Sequence, residues 1–166
     1  EAYAKYLQAS AIFNRRERAK FVNAIALLEE AIRLDPAFAR AHARLGAFHV
    51  LAPEYIGADF DASIAMARQH ANRAIELMPE LAEPYTVLGY AHGLSREFIA
   101  ERESYERALA LEPDDMLSNF WSAIYFARIG DLPRTARQLE RVLAIDPMLP
   151  NGLTWRGWSY VFDGDN

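Results

Sequence analysis

The chain has 166 residues, 52% of them hydrophobic, which is enough for one domain, since a domain of about 150 residues buries roughly 68–70% of its unfolded surface. It contains no cysteine, which excludes disulfides and thiolate metal sites. A net charge of −5 argues against a dedicated nucleic-acid surface, because phosphate binding needs concentrated positive charge.

Charge is distributed unevenly along the chain. Residues 1–50 contain eight Lys and Arg against five Asp and Glu, whereas residues 51–166 contain ten against eighteen. The residues that produce most of the basic excess are Arg15, Arg16, Arg18 and Lys20. We interpret this cluster as the solvated end of a helix and its turn. A patch that binds an anion or nucleic acid is the alternative interpretation.

Hydropathy indicates a soluble protein. No stretch approaches the ~20 apolar residues of a membrane span, and no signal-peptide core opens the chain. We therefore expect no membrane insertion and favour a cytoplasmic location over a periplasmic one. The chain begins with Glu1 rather than Met, so we expect it to be part of a larger or processed protein.

Four short segments of similar composition end in proline at a regular spacing. They are AIRLDP at 31–36, AIELMP at 74–79, ALALEP at 108–113 and VLAIDP at 142–147. The last three prolines are 34 residues apart, and the first precedes the second by 43, which is 34 plus a nine-residue insertion. A period of 34 is that of the tetratricopeptide repeat, a helix–turn–helix unit.

The residues within each period also follow that repeat. In the third unit, Tyr85, Leu88, Gly89, Tyr105 and Ala108 stand at the aromatic, aliphatic and small places of the motif. The chain thus resembles tetratricopeptide repeat proteins over nearly its whole length. The resemblance implies an all-α fold: a single right-handed α–α superhelix, or solenoid, of about four and a half repeats. The expected units are about 2–36, 37–79 with an insertion at 52–61, 80–113, 114–147 and a partial unit at 148–166.

The predicted helices alternate between the first and second helix of each unit. In chain order they lie near 2–15, 19–34, 37–51, 62–77, 82–94, 97–111, 115–129, 132–145 and 148–162. The insertion at 52–61 contains a proline and a glycine, so we predict a loop there, with Asp59 or Asp61 capping the next helix. Its apolar residues Tyr55, Ile56 and Phe60 are expected to fold back on the solenoid.

The first unit has a narrower resemblance. Residues 2–46 are similar to the start of the repeat region in bacterial adenylate/guanylate cyclases and membrane-linked winged-helix regulators. The matching residues are Tyr3, Tyr6, Leu7, Asn14, Arg15 and Arg16. This resemblance implies that the domain is the sensory or regulatory arm of a larger protein.

No constellation of catalytic residues is recognisable, and no phosphate-binding glycine motif occurs. We therefore expect no enzyme activity, no cofactor and no metal. His42 and His49 share a face of one helix, and His92 occupies the place of His49 in the next unit. Packing histidines, each hydrogen-bonded to a neighbour, are the favoured interpretation over a metal site. The sequence indicates no partner for His70.

The resemblance places a binding surface on the concave face, formed by the first helices of the units. The partner-binding residues predicted there are Tyr90, Leu94, Leu117, Phe120, Ile124, Arg128 and Trp158. Chaperone-binding members of the family carry Lys, Asn and Arg on this face to hold a carboxylate. The apolar residues here instead predict a protein or peptide partner that supplies an apolar segment or amphipathic helix. A continuation of the solenoid covering this stripe is the alternative.

Two further hypotheses concern other surfaces. Trp155, Trp158 and Phe162 give the last predicted helix an aromatic face, which predicts a terminal interface with a partner, a second copy or further sequence. A small-ligand sensory module is the alternative function. It requires a closed pocket near Tyr55, Phe60 and Tyr90.

Overall fold

The computed structural model describes residues 1–147. These residues form eight α-helices and a short 3-10 turn, and no strand occurs among them. The elements are α1 (Ala2–Asn14), the 3-10 turn (Arg18–Lys20), α2 (Phe21–Leu34), α3 (Ala39–Ile56), α4 (Phe60–Leu77), α5 (Ala82–Leu94), α6 (Phe98–Leu111), α7 (Met116–Arg128) and α8 (Leu132–Ile145). The helices pack in consecutive pairs, so the predicted all-α repeat fold is confirmed. Trp155, Trp158 and Phe162 lie outside the described residues.

Glycines in the first helices allow the two helices of a pair to pack closely. A Cβ atom added to Gly89 in α5 would lie 2.9 Å from the ring of Tyr105 in α6. One added to Gly46 in α3 would lie 3.1 Å from the carbonyl oxygen of Ala67 in α4. Because packed helices approach to 8–10 Å, a methyl group at Gly89 would force the Tyr105 ring to move, and one at Gly46 would require a shift of a few tenths of an ångström. The structure thus gives the small places of the repeat their physical reason.

The nine extra residues of the second unit are helical, so the predicted loop at 52–61 is wrong except at 57–59. Helix α3 has 18 residues where α5 has 13, and α4 has 18 where α6 has 14. The added residues therefore lengthen the pair by five and four. The linker keeps three residues, 57–59 in the second unit and 95–97 in the third.

Pro53 lies inside α3 because tertiary contacts compensate for what a proline costs a helix. A proline removes one backbone hydrogen bond and favours a helix end. Here the turn beyond Pro53 is held by Tyr55, whose ring centre lies 5.0 Å from that of Phe21. Of the apolar residues expected to fold back, only Tyr55 does so, since Ile56 and Phe60 are 42% and 43% exposed.

The ends of the lengthened helices carry ordinary caps. Gly57 ends α3 in the left-handed conformation, with φ 68°. Asp59 caps α4 by accepting a hydrogen bond from the backbone N–H of Ala62 at 2.9 Å, which decides between the two predicted capping residues.

The turn between the helices of each pair contains one residue with positive φ. It is a glycine in the second and fourth units, Gly57 and Gly130, and an arginine in the first and third, Arg16 (φ 53°) and Arg96 (φ 61°). Left-handed backbone favours glycine because it has no Cβ. The two arginine turns are therefore strained in the same way.

Candidate functional site

A cavity of about 370 Å³ opens on the face formed by the first helices α1, α3, α5 and α7, which we term the first-helix face. Small-molecule pockets have volumes of roughly 300–1,000 Å³ and mostly apolar walls. The residues that line the cavity are Ile12, Phe13, Asn14, Arg16, Glu17, Phe21, Phe48, Leu51, Glu54, Tyr55, Tyr90, Met116, Leu117, Phe120, Trp121 and Ile124.

The first and fourth units meet across this face and bound the cavity. The guanidinium carbon of Arg16, in the turn after α1, lies 5.2 Å from the centre of the Phe120 ring in α7. A cation at this distance from an aromatic face is attracted to it. Arg16 therefore connects two units that are remote in sequence.

The lengthened end of α3 supplies another part of the wall, through Glu54 and Tyr55. It is anchored to the first unit by Arg18, which donates hydrogen bonds to the carbonyl oxygens of Glu54 at 2.6 Å and Tyr55 at 3.0 Å. The last carbonyls of a helix have no partner within the helix. Arg18 thus satisfies two of them and fixes the insertion beside the cavity.

The aromatic residues of the lining contact one another, which restricts their side-chain motion. Phe48 packs against Phe13 and Phe21 with ring-centre distances of 5.2 and 4.9 Å. Tyr90 packs against Trp121 at 4.6 Å. Offset and edge contacts of this kind are favourable beyond the area that they bury. The apolar wall is therefore formed before any ligand binds.

The lining also contains a few charged groups. Glu17 pairs with Lys20 at 2.6 Å, and this hydrogen bond lowers the pKa of its carboxyl group. Arg16 and Glu54 form no ion pair with any residue in the described range. Burial, together with the negative charge of Glu54, raises the pKa of the Tyr90 hydroxyl, which stays protonated.

A buried ion pair supports the cavity wall from within the fold. Arg44 of α3 donates to Glu83 of α5 at 2.6 and 3.3 Å, and its guanidinium carbon lies 4.7 Å from the centre of the Phe13 ring. Burial raises the pKa of the Glu83 carboxyl, and the charge of Arg44 opposes that shift. The pair joins the second and third units and positions Phe13.

The structure brings together part of the predicted partner-binding set. Tyr90, Leu117, Phe120 and Ile124 line the cavity. Leu94 lies outside it and is 39% exposed. Arg128 is also outside and pairs with Glu101. Trp158 is beyond the described residues, and binding by any of this set stays a prediction.

The contribution of the first unit to this site was not predicted from the sequence. Ile12, Phe13 and Arg16 line the same cavity as Phe120, which is more than 100 residues away in the chain. The basic cluster at 15–20 was the sequence feature that could have indicated it. The contact of Arg16 with Phe120, however, depends on how strongly the solenoid curves.

Three histidines converge between α3 and α4, and His70 proves to be the partner of His42. Their Nδ1 atoms lie 3.1 Å apart, while the rings of His49 and His70 stack at 5.6 Å. Burial lowers the pKa of all three, that of His70 to about 4. Residues 1–147 contain no group of three potential ligands arranged to hold a metal ion.

Solved structures with the same architecture identify the fold. A thermophilic TPR protein from Thermus thermophilus, TTC0263, matches with a TM-score of 0.77 and 16% identity over 97% of this chain and 82% of its own. The fold is that of tetratricopeptide repeat proteins. YrrB, described as a TPR protein with an unusual peptide-binding site, matches with a TM-score of 0.55 and 19% identity over 100% of this chain and 79% of its own.

A protein of Pseudomonas aeruginosa gives a third match. This protein, PilF, has a TM-score of 0.66 and 13% identity over 99% of this chain and 69% of its own. No protein-family model matches the sequence, and the comparison with curated proteins found no match. Of the helices in the described range, none has the length and apolarity needed to cross a membrane.

Proposed function

We propose that this tetratricopeptide fold is a protein-interaction domain that captures an apolar segment of a partner in the cavity of the first-helix face. The observation that carries the proposal is the preformed cavity of about 370 Å³ lined by Tyr90, Phe120, Trp121 and Ile124. A buried aromatic or aliphatic anchor in such a pocket supplies most of the free energy of many interfaces.

Two further observations support the proposal. The aromatic wall is fixed by ring contacts such as that of Tyr90 with Trp121, so little side-chain entropy is lost on binding. One structure of similar fold, YrrB, is described as having a peptide-binding site.

Selection of peptides from a random displayed library tests this function. We expect peptides with a recurrent large apolar residue to bind the wild-type domain and to lose binding to Ile124→Glu, which places a charge in the cavity wall. Ile99→Glu is the matched control, because Ile99 lies on α6 outside the cavity and is exposed. Far-ultraviolet circular dichroism checks that both variants fold. Equal binding to wild type and Ile124→Glu would refute the proposal.

Capture of a small apolar ligand is a second candidate, favoured by the volume of the cavity, which lies within the range of small-molecule pockets. Tyr55 and Tyr90 line it as this hypothesis requires, whereas Phe60 does not. A thermal-shift screen of apolar small molecules distinguishes the candidates. A rise in Tm that Ile124→Glu abolishes, without any selected peptide, would favour the small ligand.

The narrower resemblance of the first unit extends the proposal to the parent protein. We propose that the domain acts as a regulatory or scaffold arm of a bacterial signalling protein, such as a cyclase or a transcriptional regulator. Its matching residues include Tyr3, Asn14 and Arg16. Fusion to the parent's other domains, followed by measurement of their activity with and without a selected peptide, tests this arrangement. The absence of enzyme activity and of a cofactor, like self-association and location, stays a prediction.

A further inference from the structure

Two residues of the basic cluster at 15–20 lie at the cavity, although the chain as a whole is acidic. Arg16 lines the cavity, and Arg18 is hydrogen-bonded to the end of α3 that lines it. Residues 51–166 carry an excess of eight acidic residues. A local patch of one sign attracts partners of the opposite sign and raises their rate of association.

Arg16 is the member of this cluster whose charge is available to a ligand. Its guanidinium lies over the Phe120 ring at 5.2 Å and forms no ion pair with the residues of the described range. Its neighbours Arg15 and Lys20 both contact the Glu17 carboxylate, at 3.8 and 2.6 Å. Arg18 is used by backbone carbonyls.

Backbone strain alone does not distinguish Arg16. Arg96 adopts the same left-handed conformation in the third unit, with φ 61° against 53°. Only Arg16, however, lines the cavity. Position therefore separates the two arginines, and Arg96 serves as an internal control.

The carboxylates of the lining affect the sign of the charge that a ligand meets. Glu17 is neutralised by its two basic neighbours. Glu54 forms no ion pair in the described range, but its carbonyl oxygen binds the Arg18 guanidinium at 2.6 Å. Within the lining, the pairing of Glu17 leaves Arg16 as the one cation and Glu54 as the one unpaired carboxylate of the described range. Arg16 lies over the Phe120 ring of the cavity wall, whereas Glu54 lies in the last turn of α3.

We infer that the partner segment carries a carboxylate next to its apolar anchor, and that Arg16 pairs with this carboxylate while the anchor occupies the cavity. The inference rests on the proposed function and adds the charge of the partner. An arginine held over an aromatic ring presents its N–H groups in a plane that matches a carboxylate.

Peptide selection with matched variants tests the inference directly. We expect peptides selected on the wild type to contain Asp or Glu beside the apolar anchor, and peptides selected on Arg16→Gln to lack this preference. Arg96→Gln should select the same peptides as the wild type. Apolar anchors without an acidic neighbour would overturn the inference and leave the proposed function intact, whereas no enrichment at all would overturn both.

Two related dyes give a second readout. 1-Anilinonaphthalene-8-sulfonate is anionic, and N-phenyl-1-naphthylamine is its neutral counterpart. The affinity of the anionic dye should fall roughly two- to fivefold in Arg16→Gln and rise in Glu54→Gln, the range expected for one partly exposed charge pair. The neutral dye should bind all variants equally. If the affinity of the anionic dye instead rose in Arg16→Gln and fell in Glu54→Gln, the site would favour a cationic group and the inference would be refuted. If the anionic dye depended on Arg16 but no acidic peptide were enriched, the site would be assigned to a small anionic ligand.

Discussion

His49 in the second unit and His92 in the third occupy the same place in the repeat but have different surroundings. His49 stacks on His70, and its Nε2 atom is buried without a hydrogen-bond partner among the described residues. His92 binds the carboxylate of Glu97. The motif thus determines where a side chain points, while residues outside the motif determine its electrostatic environment.

The ion pairs that join each of these units to the next show the same contrast. Arg44 and Glu83, between the second and third units, have side chains that are 13% and 10% exposed. Arg128 and Glu101, between the third and fourth, are 46% and 3% exposed. One pair is buried at both ends, and the other has a solvated cation.

The largest effect is expected from removal of the cations in these pairs. Arg44→Met should lower the free energy of unfolding by about 3–5 kcal/mol, because it leaves the Glu83 carboxylate buried and unpaired. Arg128→Met should cost about 1–3 kcal/mol, since water can reach the space that it leaves beside Glu101. Equilibrium unfolding in urea measures both values. An equal loss in the two variants would contradict the contrast in burial.

The histidine cluster predicts a loss of stability in acid. The pKa of His70 is lowered to about 4 in the folded chain, whereas an unfolded histidine has a pKa of about 6.5. The unfolded state therefore binds more protons between these values, and the free energy of unfolding falls as the pH falls from about 6.5 towards 4. The charged groups near the cluster add to this effect, because Arg73 also lowers the pKa of His42.

Substitution of the histidines isolates that contribution. Between pH 7 and 4.5, His70→Phe should lose on the order of 2 kcal/mol less stability than the wild type, because it keeps the ring but cannot bind a proton. His92→Phe is the matched control. Because His92 lies outside the cluster, this variant should lose as much stability between the two pH values as the wild type does. Urea unfolding at the two pH values gives the difference, and the same acid sensitivity in all three chains would argue against the cluster.

The sequence predicted the helices because their signals are local. The regular prolines and the glycines Gly46 and Gly89 act on the chain within one unit, and the predicted bounds of most helices agree with the structure to within two residues. The loop at 52–61 was wrongly predicted because Pro53 and Gly57 are ordinarily breakers. Helix α3 continues through Pro53 because Tyr55 and Arg18 hold its last turn. These are tertiary contacts, which the local sequence does not show.

The candidate site was predictable only in part for a related reason. Four predicted residues, Tyr90, Leu117, Phe120 and Ile124, line the cavity because the repeat assigns them to the first-helix face. The contact of Arg16 with Phe120 depends on the curvature accumulated over four units, which no single period encodes. The pairing of His42 with His70 likewise depends on the packing of α3 on α4.

Gly46 and Gly89 occupy the same place in the second and third units, and their substitution is expected to have a smaller effect. Gly89→Ala should cost about 1–2 kcal/mol, because its Cβ would lie 2.9 Å from the ring of Tyr105, which is 1% exposed and has no room to move. Gly46→Ala should be nearly neutral, since a shift of a few tenths of an ångström is offset by the higher helix propensity of alanine. Thermal unfolding followed by circular dichroism compares them, and a larger loss for Gly46→Ala would reverse the interpretation.

The smallest effect is expected at the two turns that hold an arginine in the left-handed conformation. Their comparison separates the cost of backbone strain from the contribution of the Arg16–Phe120 contact. Arg96→Gly should raise the free energy of unfolding by about 0.5 kcal/mol, because relief of the left-handed strain exceeds the entropy that glycine adds to the unfolded chain. Arg16→Gly relieves the same strain but removes the contact with Phe120, which contributes about 0.5–1 kcal/mol at an exposed site. Its net effect should therefore be near zero or slightly unfavourable. Urea unfolding of both variants measures the difference, which equals the free energy of the Arg16–Phe120 contact. Equal gains would mean that the guanidinium contributes nothing to stability through its contact with Phe120, and only the turn would then hold its charge beside the cavity.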